Sequence, residues 1–410
     1  TLAFNDDRVA AFVAAARAMA EAGTGLRLLL TTRGRPPGWP EAAWLALGPV
    51  TFGDFLQLAL DRRAPAAFWQ PGRARRRYRT MDGNARGLEI VAGALTTLDD
   101  PTAEKAFLAR LEEARSDMRL DMALAALVAH LDEEARALPA RLPAYDVAVP
   151  ADGIRALAPD RPDIEVALDR LAAVGLVERS EDHLWQTTVY RVASVAAAWL
   201  AEQPGYALDP AWLRAAAGYQ VWLYRYERPT LEQAIILHRA LSRAGEQAAA
   251  DRLALGDIVR PLNRAGLYRT LLDDWLPAIR ESADGRTRAA GLGWSGTCHK
   301  ALGDYEQALI YHEQSLAISR EIGDRAGEGA TLNNISGIYR ARGDYAGALS
   351  YLEQSLAISR EIGDRAGEGA TLNNISGIYR ARGDYAGALS YLEQSLAISR
   401  EIGDRAGEGA

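Results

Sequence analysis

Cysteine is almost missing from this sequence: Cys298 stands alone in a chain of 410 residues. One thiol excludes an intramolecular disulfide framework and any zinc site built on several cysteines, and it fits a reducing cytoplasm, the expected location. Histidine is also scarce. His130, His183, His238, His299 and His312 are scattered, and the only local grouping is Cys298-His299 with His312 beyond. Zinc needs about four placed ligands, so no metal is expected and Cys298 reads as a small buried residue. No Ser/His/Asp grouping, H-E-x-x-H or G-x-S-x-G occurs, which removes the usual hydrolytic chemistries. No apolar run approaches the length of about eighteen residues that a membrane span requires, so no membrane partner is expected. Positive charge is not in excess: 47 Lys and Arg face 54 Asp and Glu, for a net charge of −7. That balance argues against nucleic acid as the main partner.

What is present is a globular composition, 49% hydrophobic and 25% charged, in a chain long enough for several domains. Residues 8–20 carry apolar groups at helical spacing, and LRLLLTTR (26–33) is a short apolar run suited to a buried strand. RPPGWP (35–40) is a loop. From about 50 to 138 the pattern is helical, closed by Pro139 and Pro143. IRALA and IEVALDRLAAVGLV then suggest two short helices, and VERS…HLWQTTVYRVAS a two-stranded ribbon, the order of a winged helix. Asp209-Pro210 reads as a helix cap with proline in the first turn, and everything beyond is helical.

The C-terminal half repeats itself. Residues 321–360 and 361–400 are the same forty letters, and EIGDRAGEGA begins a third time at 401. Within a unit, TLNNISGIYRARG forms one amphipathic helix and GDYAGALSYLEQSLAISREIG a second. Gly343-Asp344 turns the chain between them and Gly363-Asp364 leads to the next unit. Ala348 lets the pair approach closely, while Leu332, Ile335, Tyr339, Tyr345, Leu349, Leu352 and Leu356 supply an apolar stripe. Such a pair must stack on a like neighbour to bury that stripe. Looser copies precede it, WSGTCHKALGDYEQALIYHEQSLAIS (294–319) and RAGLYRTLLDDWLPAIR (264–280). The start at Thr1 and the break inside a repeat point to a chain cut from a longer one, with the apolar face of 384–400 uncovered as a surface for self-association.

Asn334-Ile335-Ser336, Tyr339, Gly343-Asp344-Tyr345, Ala348 and Leu356 resemble the tetratricopeptide repeat, with Ser336 and Ser355 departing from its preferred Gly and Ala. The forty-residue period is similar to an extended variant in bacterial signalling proteins. The front half resembles STAND-class (NB-ARC/NACHT-like) signalling ATPases in three places: LRLLLTTR as a sensor strand, GNARGLEIVAGAL (83–95) as a helix start against adenine, and LDRLAAVGLVER…YRVASVAAAWL as a winged helix. The resemblance implies a mainly α chain: 1–48, the remnant of an α/β nucleotide-binding domain; 49–118, a helical lid; 119–204, a winged helix; 205–283, a helical linker with degenerate repeats; and 284–410, a right-handed tetratricopeptide α-solenoid. It implies nucleotide contacts at Arg33, Gly83 and Asn84, the alternative for Arg33 being an exposed loop arginine at a strand end. No G-x-x-x-x-G-K-[ST] is present, Ala85 replaces a proline, and Ala193 replaces a nucleotide-facing histidine. The chain by itself is therefore expected to bind no cofactor and hydrolyse no ATP, ATP or ADP belonging to the longer parent.

By the same resemblance, the first helix of each pair lines the concave face. Asn333, Gly337 and Arg340, with Asn373, Gly377 and Arg380 one unit on, would then form ladders suited to the backbone or carboxylates of a protein or peptide ligand. The alternative is that they only solubilise that face. The basic run RARRRYR (73–79) is either a contact for phosphates or an acidic partner, or a solvated linker. The winged helix reads as a hinge, because Asp163, Glu165 and Asp169 oppose phosphate. Rival functions are a DNA-binding regulator and an adaptor scaffold without a nucleotide switch.

Overall fold

The computed structural model describes residues 56–57, 73–81, 90–91, 101–114, 119–129, 131, 133–182, 186–226 and 230–403. The helix expected at 8–20, the strand at 26–33, and Arg33, Gly83, Asn84 and Ala85 lie outside them. The chain divides into two compact units, Thr1–Asp209 and Pro210–Ala410.

In the first unit, RARRRYR is not a linker. It lies in α1 (Arg73–Thr80), which packs on α2 (Pro101–Glu113). Arg76 forks onto Glu112, Nε to Oε1 and Nη2 to Oε2, both at 2.9 Å, and Arg77 is buried. Next come α3 (Arg119–Ala129) and α4 (Glu133–Arg141). Pro139, expected to end the helical run, lies inside α4. It forgoes one helix hydrogen bond close to the helix end at Arg141, and Pro143 falls in a 3-10 turn, Leu142–Ala144.

Beyond that turn the expected ribbon is a three-stranded antiparallel sheet, order β1-β3-β2, made of β1 (Val149–Pro150), β2 (Val177–Asp182) and β3 (Thr187–Val192). Two residues are too few for β1 to show any alternation in sequence. Helices α5 (Ala151–Arg155) and α6 (Ile164–Ala173) separate β1 from β2, and α7 (Ser194–Ala201) follows β3. Ile154, Ile164, Leu168, Leu171 and Leu176 are fully buried beside the sheet. Tyr145 closes this core by donating its hydroxyl to Gly153 O at 2.7 Å. The acidic groups of α6 are met by arginines: Asp163 by Arg161 at 3.0 Å, Asp169 by Arg179 at 3.3 Å, Glu165 by Arg155 at 3.8 Å.

The second unit is a row of helical pairs. It opens with α8 (Pro210–Tyr226) and α9 (Leu231–Arg243). A less regular pair follows, in which α10 (Gln247–Leu253) and α11 (Arg260–Arg264) flank a π-turn at Ala254–Val259, and α12 (Tyr268–Thr270) and α13 (Leu276–Arg280) flank another at Leu271–Trp275. Then come α14 (Gly285–Ala301) with α15 (Tyr305–Glu321), α16 (Arg325–Ala341) with α17 (Tyr345–Ile362), and α18 (Arg365–Ala381) with α19 (Tyr385–Ile402).

The Gly-Asp turns act as expected. Gly343 sits at φ 80°, where a side chain would be strained. Asp344 then caps α17 by accepting from the Gly347 N–H at 2.9 Å. The first helix of the unit begins at Arg325, six residues before the expected start at Thr331. Two glycines make that turn a poor helix former, and packing overrides it: a Cβ on Gly329 would lie 3.3 Å from Ile358 Cγ2. Ala348, Leu332, Ile335 and Leu352 are buried as the stripe requires, with Tyr339, Tyr345 and Leu349 packed beside them. Ser355 has a reason to be serine. Its hydroxyl reaches Gly329 O at 2.9 Å and Thr371 Oγ1 at 3.2 Å, pinning three helices together.

Charge locks the stacking. Glu328 is nearly buried; Arg320 Nε donates to it at 2.8 Å and Arg325 Nη1 at 2.5 Å, and Arg325 also bridges to Glu361 of the next helix. Burial raises the Glu328 pKa, but the two guanidinium bonds outweigh it and hold the carboxyl below its ordinary range. Arg360, Arg365, Glu368 and Glu401 repeat the arrangement forty residues on. Glu328→Gln keeps the shape but removes the charge two arginines share. It is expected to cost about 1–3 kcal/mol, read as a lower urea midpoint by circular dichroism.

Candidate ligand-binding face

Successive first helices touch one another, α14 with α16 and α16 with α18, whereas successive second helices are not brought as close. A stack narrower on one side curves toward it, so the first helices form its inner face. Arg340 and Arg380 are exposed on these helices, and neither has an ion pair among the described residues. Gly337 and Gly377 lie under the long cation of the preceding unit. A Cβ at 337 would collide with Lys300 Nζ, and one at 377 would lie 3.2 Å from Arg340 Nη1. The glycines are the notches in which those side chains rest.

The two asparagines are not equivalent. Asn333 is half-buried and accepts from Asn374 Nδ2 at 3.0 Å, across the seam between α16 and α18. Asn373 is exposed, and so is Asn334, its neighbour in the first copy. The ladder thus contains Asn334 and Asn374, which sequence reasoning passed over. It also contains Lys300, forty residues before Arg340, half-buried with no ion pair among the described residues. Burial, and then the charge of Arg340, push the Lys300 ammonium below its ordinary pKa. The period would have identified it.

Helix α8 carries an aromatic ridge. Counted from its capping position, α8 places Tyr219, Trp222 and Tyr226 where α16 has Asn334, Gly337 and Ala341. Their rings follow one another at 5.8 and 5.2 Å, with Tyr226 74% exposed.

Beneath the face lies His312, fully buried, with neither ring nitrogen hydrogen-bonded among the described residues. It stands where the later copies have Leu352 and Leu392, and its ring fits only because residue 296 is glycine: a Cβ there would lie 2.7 Å from it. Burial, then the nearby Lys300 charge, pull its pKa from 6.5 to about 4. Cys298 is buried, and its thiol is pushed up to about 11 by that burial. Among the described residues no group of His, Cys, Asp and Glu could hold a metal, and no helix is long and apolar enough to cross a membrane.

A tetratricopeptide repeat family model matches residues 287–361 and 330–401, so these stretches carry tetratricopeptide repeats. In fold, the chain is similar to the crystal structure of a Signal Transduction ATPase with Numerous Domains (STAND) protein with a tetratricopeptide repeat sensor from Pyrococcus horikoshii. The TM-score is 0.52 at 17% identity, over 92% of this chain and 58% of that one. This chain therefore spans little more than half of that protein. Two others share less: BtubC from P. vanneervenii (TM-score 0.30, 18% identity, 47% of this chain and 72% of that one) and a Podosopora anserina kinesin light chain with nearly identical repeats (TM-score 0.26, 22% identity, 48% of this chain and 87% of that one). No curated protein sequence matches the chain.

Proposed function

We propose that this chain is the sensor and coupling portion of a STAND-type signalling protein. Its repeat arm takes a protein or peptide ligand on the inner face. The observation that carries this reading is the row of Lys300, Arg340 and Arg380, cations at one position of three successive first helices with no carboxylate partner among the described residues. Such a row leaves unfulfilled pairing capacity that an acidic ligand satisfies. The helices and three-stranded sheet of the first unit act as lid and winged-helix hinge. The arginines on Asp163, Glu165 and Asp169 hold that module together internally, and these three carboxylates oppose the phosphates of duplex DNA. ATP or ADP in the parent protein lies near Arg33, Gly83 and Asn84, and ligand capture releases the hinge to allow oligomerisation.

Purified protein extended upstream of Thr1 is expected to release ADP or ATP when denatured. A correctly folded extended protein that is empty overturns the switch and leaves an interaction scaffold.

A further inference from the structure

The seam between α14 and α16 lacks what closes the seam between α16 and α18. At the later seam Asn374 donates to Asn333. Forty residues earlier the same two positions hold Asn334 and Gly293. Glycine has no side chain to accept, so Asn334 is left exposed, with no hydrogen bond among the described residues. A cavity of about 510 Å3 opens at this seam, walled by small groups such as Ala290, Gly293 and Ala330, with Trp294 and Thr297 beside them; its one carboxylate, Asp324, is already paired with Arg286 at 3.3 Å. That volume is within the range of ligand sites, about 300–1,000 Å3. Asn263 adds a buried Oδ1 that has no donor among the described residues. One turn along α16 from Asn334, Lys300 rests over Gly337, next to Arg340.

We infer that this one seam, rather than the whole ladder, is the seat of the ligand, and that its occupant is an extended acidic peptide. The inference rests on the peptide-binding reading above and names where and how it operates. The small walls admit a narrow chain without long side chains at its centre. Asn334 offers a donor and an acceptor, the pair a main-chain amide presents in reverse. Asn263 Oδ1 takes a second amide N–H, whose absence leaves a buried acceptor unsatisfied. An acidic side chain lies between Lys300 and Arg340, which repel each other until a carboxylate is placed between them. A basic peptide would add to that repulsion.

The test uses random dodecapeptides displayed on phage, selected on the whole chain. Wild type is expected to enrich sequences rich in Asp and Glu. Gly293→Asn copies the closed seam into the open one. A Cβ at 293 meets nothing nearer than Ser315 Oγ at 3.5 Å, so the variant folds, and it is expected to lose about tenfold in affinity for the selected peptides. Asn333→Gly does the reverse and opens a second, weaker seat, raising the bound stoichiometry above one peptide per chain. Undiminished binding by Gly293→Asn overturns the seat and leaves peptide recognition standing. No enrichment on wild type, or enrichment of basic peptides, overturns the peptide reading as well.

Discussion

Leu352→Ala is expected to destabilise the repeats by about 3 kcal/mol, and Leu392→Ala by less than about half of that, although the two leucines sit in identical sequence. Leu352 is 1% exposed because α18 stacks over α17, whereas Leu392 on α19 is only half-buried. The cost of truncating a leucine scales with the transfer energy of the removed atoms and the cavity left behind, and both fall with exposure. Urea midpoints followed by far-ultraviolet circular dichroism separate the variants. Equal losses would mean that something covers Leu392 as fully as α18 covers Leu352. The same comparison reads the uncovered face, where Tyr385 and Leu389 are 71% and 58% exposed.

The second large effect is set by His312. Its neutral form is favoured in the folded protein, with a pKa pulled from 6.5 to about 4. The unfolded chain therefore takes up the proton first as pH falls. This stabilisation is complete above pH 6.5 and is lost progressively between there and about pH 4, a change of about 3 kcal/mol. His238, also held low by burial, acts in the same direction, so the wild type alone does not isolate the effect. The paired change His312→Leu with Gly296→Ser installs the residues that the later copies carry at these positions. Its stability should fall less steeply than that of wild type between pH 6.5 and 4.5. Parallel curves would show that His312 reaches water or a partner in the fold.

Much of the second unit was legible because repetition fixes the phase of every helix. Once Gly343-Asp344 marks one turn, Gly303-Asp304 and Gly383-Asp384 mark others, and the stripe through Leu332, Ile335 and Leu352 points inward. The early start of α16 was not legible. Gly327 and Gly329 argue locally against a helix, and only Ile358, far along the chain, supplies the reason for a glycine. Helix α1 was hidden for a similar cause: a dense run of arginine looks solvated until Glu112 comes to meet it.

The ligand face was partly readable. Period placed Arg340 and Arg380 on one line, but Asn333 and Asn334 are about 100° apart on a helix, and a bond across the seam decides which of them is free. The significance of Gly293 appears only against that bond. The first-unit contacts at Arg33, Gly83 and Asn84 remain expectations carried by resemblance.

The central claim is that the inner face, through its cations, receives an acidic ligand. It is tested most directly by retention of a fluorescein-labelled dodecapeptide pool, half Asp and Glu, on two charge-matched variants. Arg340→Glu with Arg380→Glu reverses the inner face. Arg342→Glu with Arg382→Glu makes the same net change at the exposed helix ends. The inner pair should lose retention by about tenfold or more, and the outer pair should stay near wild type. Equal retention by both variants, or equal loss from both, would contradict it.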